Sequence, residues 1–124
     1  MNYRQLGKTD VKVSEISFGC WTMGGLNFVN GTPNGWANVN EDEVTAGIKA
    51  GLDAGVNHFD NADVYGNGRA ERMLARVFDK LGVKSTDFII ATKIGNPHSN
   101  HADMRELVVS VFKSPRMRKR SRMV

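Results

Sequence analysis

The sequence has a single cysteine, Cys20, among its 124 residues. One thiol can close no intrachain disulfide and cannot build a cysteine-based zinc knuckle, so the stapled and zinc-ribbon classes are excluded. Nowhere do about 18 apolar residues run together, so no membrane-spanning helix is expected. The opening stretch, MNYRQLGKTDVKVSE, is polar and lacks the apolar segment of a secretory signal. With 40% hydrophobic residues, the chain is expected to be one ordinary soluble domain in a reducing cytoplasm.

Acid is missing from one end only. Residues 113–124, KSPRMRKRSRMV, hold six Lys/Arg and no Asp/Glu, while residues 1–112 hold eleven against thirteen, a net charge of −2. The overall charge of +4 therefore belongs to a basic tail over 113–124, expected to be disordered, behind a mildly acidic body over 1–112. Such a tail attracts phosphate charge weakly and without sequence preference. It has no aromatic residue to stack bases and no recognisable reader fold, so nucleic acid is not the expected partner.

What is present is a regular alternation. YRQL and VKV flank the turn-forming GKTD, which predicts a short hairpin. EISFG suits a buried strand closed by Gly19, and the Gly- and Asn-rich stretch 24–40 predicts a long loop. Asn40 and Glu43 have the spacing of a capping box, and Val44, Ile48 and Leu52 stripe the helix that follows, with Gly55 as its stop. VNHFD is the next strand, ending at Asp60, and DNADVYGNG is a loop. Met73, Leu74, Val77, Phe78 and Leu81 predict a second helix over about 69–81, with Gly82 as its C-cap. DFIIATK is a third strand, apolar through its middle and closed by Lys93. A hairpin followed by strand, helix, strand, helix, strand predicts an α/β fold with a parallel sheet of βαβ units. DMRELVVSVF offers a short third helix before Pro115.

In such a sheet the ligand site forms at the C-terminal strand ends and the loops after them. Asp60, Tyr65 and Lys93 all fall there. An ammonium held by a carboxylate and facing a phenol favours the phenolate, making the phenol a better proton donor to a carbonyl oxygen as hydride reaches its carbon. The same residues also read as a turn aspartate and a solvated end lysine, and spacing alone leaves both open. A calcium loop counted from Asp60 fails, with Ala62 and Val64 where ligands belong and Tyr65 where glycine is needed, so no metal site is expected. GNGRAE at 66–71 lacks the last glycine of the dinucleotide fingerprint. His58 shares a strand face with Asp60 and is expected to pack inside the sheet.

Three segments in this order, YRQLGKTDVKVSEISFGCW, AGLDAGVNHFDNADVYGNGRAE and FIIATK, resemble the N-terminal part of an aldo-keto reductase, from Tyr3 to about Gly95. The resemblance implies a (β/α)8 TIM barrel, present here in part: an N-terminal hairpin, the first three strands and two to three helices. It implies NADP(H)-dependent reduction of small aldehydes or ketones, with Asp60, Tyr65 as general acid and Lys93 matching three of the family's four catalytic positions. Gly19, Cys20 and Trp21, with Asp60, match the corner that holds the nicotinamide. Asn61 replaces the family's usual Thr or Ser, and Cys20 stands where Thr is frequent. The family's catalytic histidine has no counterpart, because His98 and His101 come before any fourth strand could form. The abrupt change after about Ala102 is what a truncated or frame-altered reductase would show, and such a chain is expected to be inactive alone. A non-catalytic binding or regulatory module of the same fold is the alternative.

Overall fold

A computed structural model describes residues 1–29 and 31–94. The short third helix expected in DMRELVVSVF, His98, His101 and the basic tail lie outside these residues. In chain order the elements are strands β1 (Tyr3–Gln5), β2 (Lys12–Ser14) and β3 (Phe18–Gly19), a 3-10 turn (Thr22–Gly24), and strands β4 (Leu26–Val29) and β5 (Thr32–Gly35). Helix α1 (Glu41–Asp53), strand β6 (His58–Asp60), helix α2 (Arg69–Leu81) and strand β7 (Ile89–Ala91) follow.

The central sheet is parallel, in the order β3, β6, β7, with Gly19 opposite Asp60 and Asp60 opposite Ala91. Each helix connects neighbouring strands, so two βαβ units share β6. With three strands, the sheet of the described residues is part of an α/β fold and closes no barrel.

Local chemistry explains the helices. The Asn40 side chain accepts the backbone N–H groups of Asp42 at 2.8 Å and Glu43 at 3.4 Å. Three acids in the first turn of α1, Glu41, Asp42 and Glu43, face the positive end of its dipole. Helix α2 stops where Gly82 turns left-handed at φ +65 and caps the carbonyls of Phe78 and Asp79. Its stripe of Leu74, Val77 and Phe78 packs with Ile48 of α1 and Phe59 of β6 into one core. The Phe59 and Phe78 rings meet edge-on at 4.9 Å, an arrangement aromatic pairs favour.

The structure differs from expectation in three places. Of EISFG, only Phe18 and Gly19 join the sheet, and Ile16 is 60% exposed. The residues before them are tied to the hairpin instead: Glu15 donates its N–H to Asn2 O at 3.0 Å, and Ser14 Oγ donates to Ile16 O at 2.6 Å. The stretch expected as a long loop contains an antiparallel hairpin, β4 and β5, with Leu26 opposite Gly35 and Val29 opposite Thr32. Its Asn-Gly pair at 30–31 is a strong hairpin signal, which the Gly-rich composition obscured. Lys93 lies two residues past the end of β7. The ladder nevertheless runs on there, with Asn61 N–H donating to Ala91 O at 2.7 Å and Asp63 N–H to Lys93 O at 3.1 Å.

The N-terminal hairpin is clamped beneath the sheet. Asn57, just before β6, accepts Ser14 N–H at 2.7 Å, donates its side-chain amide to Lys12 O at 3.0 Å and its backbone N–H to Ser14 Oγ at 3.2 Å. Tyr3 adds a bond from its hydroxyl to Gly55 O at 2.8 Å.

Candidate active site

Asp60 ends β6, Tyr65 sits in the loop that follows, and Lys93 lies just past β7. The fold brings all three together. Lys93 Nζ donates to Asp60 Oδ1 at 2.7 Å and to the Asn61 carbonyl at 2.9 Å, and reaches the Tyr65 hydroxyl at 3.3 Å. The same ammonium lies 5.1 Å from the Tyr65 ring centroid, within range of a cation–π attraction. Burial pulls the Lys93 pKa down, but hydrogen bonds to Asp60 and Tyr65 outweigh it, and the group is held above the usual lysine range. Lys93 therefore stays a cation at neutral pH. Both partners of the ion pair are exposed, at 56% and 41%, so it contributes little stability.

The Tyr65 loop keeps its shape through glycine. Gly66, Asn67 and Gly68 are all left-handed, at φ +60, +53 and +77. At Gly66 the loop passes directly over the 3-10 turn, and a Cβ there would lie 2.0 Å from Gly24 O. Neither backbone can yield without moving the other. Gly66→Ala adds left-handed strain of ~1–2 kcal/mol to that collision, so a loss of about 2 kcal/mol or more in urea unfolding is expected. A midpoint equal to that of the parent would refute this account of the loop.

Arg69 fastens the neighbouring hairpin, donating Nε to Gly24 O at 2.8 Å and its Nη2 to Leu26 O. Asn27 completes the attachment by donating to Val64 O at 3.4 Å.

At the end of β3 the expected cofactor corner divides. Gly19 is open, since a Cβ built on it would meet no atom within 4 Å. Trp21 is 45% exposed and packs edge-on against Trp36, ring centroids 6.2 Å apart. The Cys20 side chain is fully buried in the core, and its thiol donates back to Phe18 O at 3.7 Å. Burial, reinforced by the Asp60 charge, pushes its pKa up to about 12. The thiol is thus withdrawn from any ligand, and the Cys20 backbone is committed too, its N–H donating to Asp60 O at 2.9 Å and its carbonyl accepting Met23 N–H at 3.1 Å. His58, expected inside the sheet, is half-buried in β6.

Sequence reasoning missed a polar group behind this corner. Glu71 of α2 accepts a hydrogen bond from Thr92 Oγ1 at 2.6 Å. Burial raises the Glu71 pKa above the usual carboxylate range, and the Thr92 bond offsets this in part. Asn61 is fully buried, with Oδ1 accepting Ala62 N–H at 3.0 Å. Asn61 Nδ2 and Glu71 Oε2 are both buried without a hydrogen-bond partner among the described residues. The signal available was a carboxylate on the buried stripe of α2, three residues before Leu74. Among the described residues no three His, Cys, Asp or Glu side chains are placed to hold a metal ion, and no helix is long and apolar enough to cross a membrane.

Comparison with known proteins agrees with this architecture. The chain is 39% identical over 102 residues to an Arabidopsis thaliana protein named "Probable voltage-gated potassium channel subunit beta", covering 81% of this chain and 28% of that one. It is 33% identical over 112 residues to pyridoxal 4-dehydrogenase of Microbacterium luteolum, covering 90% and 29%. Among solved structures, an aldo-keto reductase from Bacillus halodurans in its holo form superposes with a TM-score of 0.65 at 26% identity, covering 95% of this chain and 37% of that one. Glycerol dehydrogenase from Gluconobacter oxydans superposes with a TM-score of 0.57 at 25% identity, covering 94% and 36%. The chain thus spans less than a third of the length of these curated relatives. The model of the aldo/keto reductase family matches residues 15–112, and with the parallel βαβ order and the strand-end cluster already described, it shows that this chain belongs to that family.

Proposed function

We propose that this chain carries the proton-donating corner of an NADP(H)-dependent reductase of small aldehydes or ketones. The observation that carries the reading is the Lys93 ammonium, bonded at once to Asp60, Asn61 O and Tyr65. Asp60 anchors Lys93, and Lys93 presents positive charge to the Tyr65 hydroxyl. That charge favours the phenolate left behind when Tyr65 gives its proton to a carbonyl oxygen. The two events, orientation by Asp60 and proton donation by Tyr65, need no movement of the sheet.

The nicotinamide end of the cofactor fits the residues present. Gly19 leaves the end of β3 open, and Trp21 offers an exposed flat apolar face beside it. When bound, NADP(H) supplies the hydride. Gly19 and Trp21 would hold the ring, and Asp60 would border it. The reading places the protein in the cytoplasm, in keeping with one buried free thiol.

A second reading has one observation in its favour: the relative at 39% identity is named as a channel subunit. There the same corner would serve binding or regulation.

A barrel of this type takes eight strands and about 250 residues. By itself, the 124-residue chain is expected to oxidise no NADPH with a generic aldehyde. Residues 1–94 grafted into a complete family barrel should support measurable turnover, followed by NADPH absorbance. Binding of NADPH without turnover in that graft would favour the regulatory reading.

A further inference from the structure

We infer that Glu71 is a positioning residue: through Thr92 it fixes the strand end that carries Lys93, and so holds the ammonium on Asp60 and Tyr65. The inference deepens the proposed function and rests on its reading of those three residues as the chemical corner.

The backbone sets up the division of roles. Ala91 O and Lys93 O both bond to the β6 side of the ladder, at Asn61 and Asp63. In an extended ladder successive side chains leave on opposite faces. Lys93 goes to Asp60 and Tyr65, and Thr92 goes to α2. Lys93 itself is a long, exposed side chain in a surface ion pair, which is too weak to define its own geometry. Past the end of β7 at Ala91, the bond from Asp63 N–H to Lys93 O fixes the backbone of residue 93 but no side chain. The 2.6 Å bond from Thr92 Oγ1 to Glu71 Oε1 adds a side-chain tether between this segment and α2.

Glu71 is well placed for this. It stands in the first turn of α2, which begins directly after the Tyr65 loop. One hydrogen bond therefore ties the element that delivers Tyr65 to the segment that delivers Lys93. The choice of residue also argues for a role beyond packing. Glu71 lies on a face shared with the core residues Leu74 and Phe78. A carboxylate there leaves Oε2 buried without a partner, which is unfavourable. An acceptor aimed at Thr92 accounts for its presence.

The test needs no turnover. The full 124-residue chain is acetylated with limiting acetic anhydride over a range of pH, and each lysine is read by peptide-resolved mass spectrometry. Only the unprotonated amine reacts, so the rate at Lys93 relative to Lys49 reports how firmly its ammonium is held. Glu71→Ala and Thr92→Val should each raise the Lys93 to Lys49 ratio by roughly threefold or more. Glu71→Gln keeps an oxygen acceptor and should leave the ratio at the parent value, as should Thr92→Ser. The double variant, Glu71→Ala with Thr92→Val, should go no further than either single change. Asp60→Asn, which removes the direct partner, should raise the ratio independently of Glu71. A parent ratio in both Glu71→Ala and Thr92→Val, with a raised one in Asp60→Asn, overturns the inference and leaves the corner standing. A parent ratio in Asp60→Asn as well overturns both. Should Glu71→Ala unfold the chain, seen as a common rise at Lys49 and Lys80, the near-isosteric pair Thr92→Val and Thr92→Ser decides.

Discussion

Replacing Tyr65 by Phe, in a complete barrel carrying residues 1–94, is expected to lower carbonyl reduction by about a hundredfold or more. NADPH affinity should stay within about twofold of the parent, since hydroxyl deletion disturbs no other bond of comparable weight. The phenol has one polar contact among the described residues, Lys93 Nζ at 3.3 Å, and its backbone N–H is held separately by Ala62 O at 3.2 Å. The loop therefore survives the change while its proton is lost. Steady-state rates with a generic aldehyde, set beside a fluorescence titration of NADPH, measure both halves. Turnover near that of the parent would remove Tyr65 from the chemistry.

The second large effect belongs to Lys93→Met. It deletes the cation beside Tyr65 and releases Asp60 from its partner in one step. Turnover should fall by roughly one to two orders of magnitude, because the proton donor loses the charge that favours its conjugate base. Stability should respond far less. A lysine whose folded pKa is raised contributes its stability below the ordinary lysine range and loses it as pH climbs through the folded value. For an exposed pair that contribution is small at neutral pH. An unchanged rate would show that the ammonium is a bystander.

Much of this was legible before any coordinates, for identifiable reasons. Helix α2 carries an unbroken stripe from Met73 to Leu81 and a glycine stop, and helix, stripe and cap all appear where periodicity puts them. The convergence of Asp60, Tyr65 and Lys93 followed from strand order, because parallel strands end on one side of their sheet. Two features were hidden by the same cause, a composition that outweighed a local signal. The β4–β5 hairpin was masked by surrounding glycines and asparagines, although Asn-Gly marked its turn. Glu71 was not singled out, because the apolar stripe around it was read only for its hydrophobic members. The inward turn of Cys20 was beyond sequence: a strand-end residue can face either way, and packing against Met23, Phe59 and their neighbours decides it.

The Asn57 clamp separates what this segment can afford to change from what it cannot. Asn57, Ser14 and Tyr3 work at the end where β6 begins, whereas Asp60 and Lys93 work where β6 and β7 finish. An engineer wanting a sturdier protein could repack beneath Tyr3 without touching the contacts that Lys93 makes with Asp60 and Tyr65. Drift in natural sequences has the same licence. Two populations of substitutions, one answering to heat and the other to chemistry, can therefore accumulate in a stretch of a hundred residues with little interference.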